Sequence, residues 1–128
     1  MYKLILLAAG GAIGTIGRYA VSGIAQKHLG ASFPYGTLAV NLTGSLLIGL
    51  LWGLFDFYNL SSGARIFLFI GILGSFTTFS TFMLESLNSF RDGEIVSAVV
   101  NILANNVLGL IFVFFGFVAM RGFISWIR

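Results

Sequence analysis

Residues 71–82 read Gly-Ile-Leu-Gly-Ser-Phe-Thr-Thr-Phe-Ser-Thr-Phe, and the fold turns on this segment. It lies inside an apolar stretch from about Ile66 to Phe90, bounded by Arg65 and Arg91. As a helix, such a stretch crosses ~30 Å of hydrocarbon at ~1.5 Å per residue. Yet Gly71, Gly74 and five hydroxyl residues, Ser75, Thr77, Thr78, Ser80 and Thr81, fall near its middle. These residue types weaken a helix, and their hydroxyls can satisfy backbone groups that an interruption frees. The segment predicts a membrane helix broken near its midpoint. Non-helical backbone at that depth is tolerated only when buried in protein or lining a cavity, and its carbonyls can then hold an ion.

Three more apolar stretches flank it. They run from about Leu4 to Gln26, Tyr35 to Phe57 and Ile95 to Met120, with an interfacial tail from Arg121 to Arg128 that contains Trp126. The expectation is an all-α membrane protein, one domain of four spans over residues 1–128 (about 4–26, 35–57, 66–90 and 95–120). Barrel strands would be ~10 residues long with alternating polarity, a pattern the chain lacks. Lys3 followed by Leu-Ile-Leu-Leu-Ala-Ala resembles the start of a signal peptide, but the apolar character continues far past the usual core of about 7–15 residues, which favours a mature first span.

Composition agrees. Only 9% of residues are charged while 58% are apolar, against about 25% charged in an ordinary soluble domain. Seven Lys/Arg and four Asp/Glu cannot cover the surface of a soluble protein of 128 residues. The net charge of +3 is too thinly spread for a nucleic-acid patch. There is no Cys, so thiolate chemistry is excluded, and His28 has no second His nearby, so a zinc site is not expected. Of the carboxylates, Asp56, Asp92 and Glu94 lie at span ends and only Glu85 lies within a span. With no paired acids and no Ser/His/Asp set, an enzyme is not expected.

The other polar residues at depth need partners, because polar groups in hydrocarbon are costly. Asn41 and Ser45 share a face of the second span with Gly49 and Gly53; an interhelical hydrogen bond along a Gly-lined seam is the plain reading. Ser97, Asn101, Asn105 and Gly109 form an i, i+4 series in the fourth span, with Asn106 about 100° away. A dimer seam or a polar track along a pathway would each account for them. Phe79 and Phe82 lie on one face, as core packing would also place them. Gly10, Gly11, Gly14 and Gly17 loosely match a dinucleotide fingerprint, but no strand precedes them; Gly10 and Gly14 instead suit a close helix contact. Arg18, too deep to snorkel simply, should meet a carbonyl, Glu85 or a water-filled vestibule. Lys3, Arg65, Arg121 and Arg128 share one side of the membrane and Lys27 and Arg91 the other. So slight a bias permits insertion both ways, and hence an inverted dimer, as well as one fixed orientation.

Taken together, these motifs resemble the Fluc (CrcB-type) fluoride channel family over essentially the whole chain. The resemblance is carried by Gly10-Gly11-Ala12-Ile13-Gly14 leading to Arg18-Tyr19, by Gly36-Thr37-Leu38-Ala39-Val40-Asn41, and by Thr77-Thr78-Phe79-Ser80-Thr81-Phe82. It implies an inverted, dual-topology homodimer in a prokaryotic plasma or inner membrane, with two antiparallel pores passing fluoride passively out of the cell. It implies a structural Na⁺ at the dimer centre on the backbone carbonyls of Gly74 and Thr77. It further implies pore roles for Phe79, Phe82 and Asn41, and a helix-four polar track at Asn101 and Asn105. Gly109 stands where the family more usually has a hydroxyl, and Ser75 where it has a second glycine. The chemistry suits a small, strongly hydrated anion: Asn41 can donate an amide N–H, Ser80 or Thr81 a hydroxyl, and the positive ring edges of the phenylalanines can face the ion, while Arg18 enriches anions at an entrance.

Two rival readings stand beside it. A small four-helix multidrug or cation antiporter has similar size, but needs an intramembrane acid in the first span, where Leu4 to Gln26 has none. A non-transporting assembly subunit would explain the glycine seams but not the hydroxyl-rich segment.

Overall fold

Four helices long and apolar enough to cross a membrane make up the computed structural model, which describes all 128 residues: Tyr2–Leu29, Tyr35–Phe57, Ser62–Arg91 and Ile95–Trp126. The first two are uninterrupted α-helices, α1 (Tyr2–Leu29) and α2 (Tyr35–Phe57). The third span is composite. A first turn, α3 (Ser62–Arg65), leads into a π-helical segment, Ile66–Leu73, then a single turn, α4 (Gly74–Phe76). Two extended residues follow, and the chain resumes as α5 (Phe79–Arg91). The fourth span is α6 (Ile95–Leu103), a π-helical segment Ala104–Leu108, and α7 (Gly109–Trp126). The expected mid-span break is therefore present in the third span, narrowed to Thr77 and Thr78.

The turns follow from residue type. Gly30 ends α1 with φ +86°, and Gly93 makes the tight turn between the third and fourth spans with φ +81°, a region that costs glycine least. Ser61 caps α3, its hydroxyl accepting from the Ala64 N–H at 3.2 Å.

Two glycine seams set the helix spacing. α1 lies along Ile66–Leu73, where a Cβ added to Gly10 would stand 2.7 Å from the Phe67 carbonyl oxygen and one on Gly14 would run into that of Ile72. α2 lies along α7, where Gly49 faces Val113 and Gly116 faces Leu46 with equally little room. Lipid offers apolar side chains no hydrophobic gain for associating, so close backbone approach of this kind supplies the packing. Only 20 of 128 residues are buried, and Ile13, Leu110, Phe114 and Phe123 are among the large apolar side chains left outside. That exterior meets lipid or other protein.

Candidate functional site at the break in the third span

Thr77 (φ −77°, ψ 157°) and Thr78 (φ −146°, ψ 113°) are extended. Their side chains stabilise the helix ends on either side. The Thr77 hydroxyl donates back to the Leu73 carbonyl at 3.0 Å. Thr78 is the N-cap of α5: its Oγ1 accepts from the Thr81 N–H at 3.3 Å and donates to Thr81 Oγ1 at 2.9 Å. Upstream, the Ser75 hydroxyl reaches the carbonyls of Gly11, Gly71 and Ile72, tying the last turn before the break to α1.

Asn41 holds the break from the opposite side. Its Oδ1 accepts the Thr78 N–H at 2.9 Å, and its Nδ2 donates to the Thr78 carbonyl at 3.2 Å and to Asn105 Oδ1 at 2.9 Å. One amide thus grips both polar groups of an extended residue and reaches the fourth span. The consequence is local to two carbonyls. The N–H four residues after Gly74 is that of Thr78, which goes to Asn41; the N–H four residues after Thr77 is that of Thr81, which goes to the Thr78 hydroxyl. The carbonyls of Gly74 and Thr77 therefore lose the donors a continuous helix would have given them. No trio of His, Cys, Asp or Glu side chains gathers anywhere in the chain.

The fourth span continues the network inward. Asn105 Nδ2 donates to the carbonyl and Oδ1 of Asn101, at 3.0 and 2.9 Å. Asn101, fully buried, donates to Ser86 Oγ at 3.0 Å, and Ser86 donates to the Phe82 carbonyl at 2.9 Å. Beside this network lies an open-sided cavity of about 190 Å³ whose walls include Asn41, Ser45, Thr77, Phe79, Phe82 and Asn105. Thr78 and Asn106 complete its lining, and none of the eight residues is charged. The Phe79 and Phe82 rings meet edge to face, 5.6 Å between centroids at 71°; Phe82 is 2% exposed and Phe79 70%. A second cavity, about 240 Å³, borders the break on its other side and is lined by Gly44, Ser45, Phe69, Gly74 and Thr77 among others.

Residues 5–117 match the family described as CrcB-like protein, Camphor Resistance (CrcB). The chain belongs to the CrcB family. It is similar to the "Fluoride-specific ion channel FluC" of Parabacteroides distasonis, 46% identical over 128 residues with all of both chains covered. It is also similar to the proteins of that name from Salinibacter ruber, 47% identical with 91% of this chain and 87% of the other covered, and Nitrosococcus oceani, 45% identical with 90% and 93% covered. Membership places this CrcB chain, with its four spans, in the prokaryotic inner membrane, and in a family of channels rather than enzymes.

The CrcB chain brings five of the residues singled out in its sequence to one cavity: Asn41, Thr77, Phe79, Phe82 and Asn105. Gly74 lies across the break from them, and Asn101 is buried behind Asn105. Ser80 and Thr81 are exposed and outside the cavity wall. Arg18 is remote, in an open groove of about 650 Å³ with Thr15, Tyr19 and Lys27. Glu85, one of the partners considered for Arg18, is instead engaged by α2: Thr37 Oγ1 donates to its Oε1 at 2.8 Å, while its Oε2 is buried with no partner. In the fourth span, which carries a π-helical turn at Ala104–Leu108, Asn105 and Asn106 both line the cavity and Gly109 is buried against Ser45. Gly109 thus faces a hydroxyl supplied by α2. Thr37 is the contact that sequence reasoning missed. Its signal was available, since Thr37, Asn41 and Ser45 form one i, i+4 stripe.

Proposed function

We propose that this protein is a passive, fluoride-selective channel that lets the anion leave the cytoplasm. The observation that carries the reading is the uncharged cavity at the break, walled by carboxamides, hydroxyls and aromatic edges. Fluoride is small and holds water tightly, so a pore for it must replace hydration without binding so strongly that the ion cannot leave. Amide N–H groups and the positive rims of phenyl rings meet both demands, and a fixed Lys or Arg would violate the second. The relatives' name, fluoride-specific ion channel, points the same way.

In this mechanism Phe79 and Phe82 present ring edges to the ion and Asn41 and Asn105 supply the amide wall. The Nδ2 groups of Asn41 and Asn105 are both engaged, the first to Thr78 and Asn105 and the second to Asn101, so these amides serve the ion by turning toward it or by holding the backbone around the break in place. Asn101 acts through Asn105. Arg18 concentrates anions at an entrance. The whole chain works as one four-span unit that pairs with an inverted second copy, giving two antiparallel pores. The exposed polar face favours pairing: Gly74, Ser80 and Thr81 lie open at mid-membrane, where lipid satisfies no backbone or hydroxyl group. Ser80 and Thr81 then act at that junction.

The residues fit a structural Na⁺. The carbonyls of Gly74 and Thr77, freed by the diverted N–H groups of Thr78 and Thr81, would hold it at the dimer centre. There it would add a fixed positive charge that favours an anion nearby without standing in its path. The test is efflux from liposomes loaded with fluoride or chloride, with charge compensated by a potassium carrier. Fluoride should leave and chloride should stay; equal release of both ends the proposal.

A further inference from the structure

The end of the molecule that carries the start of α1 and the end of α7 has an uneven charge. Lys3, Arg65, Arg121 and Arg128 lie there against Asp56 alone, whereas Lys27 and Arg91 at the opposite end are balanced by Asp92 and Glu94. A pocket of about 260 Å³ opens at this positive end between the last turns of α2 and α7, lined by Gly53, Asp56, Phe57, Arg121, Ser125 and Arg128 among others. The arginines are held by rings rather than by carboxylates. The Arg128 guanidinium lies 4.3 Å over the Phe57 ring and that of Arg121 5.5 Å over Phe117. Asp56 lines the same pocket without forming an ion pair with either.

We propose that this pocket binds the head group of a phosphoethanolamine lipid, with the phosphodiester on Arg121 and Arg128 and the ammonium on Asp56. Three observations select this ligand. Two guanidiniums with free N–H forks suit phosphate oxygens, and stacking on rings orients them in advance. A carboxylate in the same pocket suits an ammonium and opposes a purely anionic head group. The pocket also sits at head-group depth: Trp126, Tyr58 and Trp52 are exposed around this end, as at a membrane–water interface, and Phe123 is exposed on α7 for an acyl chain to cover. Ser125 adds a hydroxyl to the phosphate side. If the protein inserts both ways, each leaflet meets one such pocket.

The test is native mass spectrometry of the full chain in detergent, titrated with phosphatidylethanolamine, phosphatidylglycerol and phosphatidylcholine bearing identical acyl chains. Phosphatidylethanolamine occupancy should exceed that of phosphatidylglycerol by about fivefold, the upper range for one exposed charge pair, and should also exceed that of phosphatidylcholine, whose quaternary ammonium has no N–H to donate to Asp56. Asp56→Asn should bring the ethanolamine-to-glycerol ratio to about one, since only the ammonium contact is lost. Arg121→Gln should weaken both lipids, and Lys3→Gln, outside the pocket, should change neither. Phosphatidylglycerol binding as well as phosphatidylethanolamine to the unmodified protein would overturn the proposal, as would an unchanged ratio in Asp56→Asn. Should that variant fail to fold, the unmodified protein and Arg121→Gln decide the matter between them.

Discussion

Replacing Asn41 by Asp changes one group by almost no volume and tests the proposed pore at its most connected point. Asn41 makes three hydrogen bonds across the break: Oδ1 accepts the Thr78 N–H, and Nδ2 donates to the Thr78 carbonyl and to Asn105 Oδ1. An aspartate keeps the first and turns the other two into oxygen facing oxygen. It also adds a negative charge to a wall that has none. An ion seated in the open-sided cavity beside Asn41 lies roughly 5 Å from the new carboxylate. At that separation and an effective dielectric constant of ~20, the repulsion is about 3 kcal/mol, which lowers anion occupancy by about two orders of magnitude. Asn41→Asp should therefore cut fluoride efflux from liposomes by about a hundredfold, with the protein still eluting at its normal size. Asn41→Ser, neutral and shorter, should retain far more flux at lower thermal stability. Efflux from the Asp variant within twofold of the unmodified protein would remove Asn41 from the ion's surroundings and with it the proposed wall.

Other substitutions test the remaining parts. Phe79→Ile or Phe82→Ile should slow fluoride efflux far more than Phe114→Ile, because Phe114 is 68% exposed on the outer face of α7; equal rates in the three would make the pair ordinary packing. Gly14→Ala places a methyl against the Ile72 carbonyl, and this backbone cannot retreat as a flexible side chain would, so the variant should lose at least ~2 kcal/mol of stability, read as a lower melting temperature in detergent. Thr37→Ala removes the one hydrogen bond to Glu85 and should cost about 1–3 kcal/mol by the same measurement, whereas Thr37→Ser should restore most of it. Labelling both termini from each side of the membrane should find both orientations in equal amount; labelling from one side alone would exclude the inverted pair.

The four spans were legible because long apolar runs between charges have few alternative uses. The break was legible too, since Gly74, Ser75, Thr77 and Thr78 are poor helix formers set in a stretch of good membrane sequence. Its narrowness was not. Composition marks a weak segment, but the residues that unwind are chosen by Asn41, 37 positions away in sequence, which captures the Thr78 backbone. The π-helical turn beside Asn105 and Asn106 was hidden because no residue type in Ala104–Leu108 marks such a segment. The Thr37–Glu85 bond was hidden because it joins α2 to α5, and spacing within one helix says nothing of its neighbour's rotation.

The interruption at Thr77–Thr78 gives the bilayer interior two helix termini it would otherwise lack. A chain end of acceptors, around Gly74–Phe76, and a chain start of donors, at Phe79, face one another across two residues. Aligned peptide dipoles place about half an elementary charge of each sign at such ends. In the proposed channel one bend would thus serve either sign of ion from atoms that neither gain nor lose protons. Acidification of the surroundings leaves that polarity untouched, which an equivalent array of histidines or carboxylates would not.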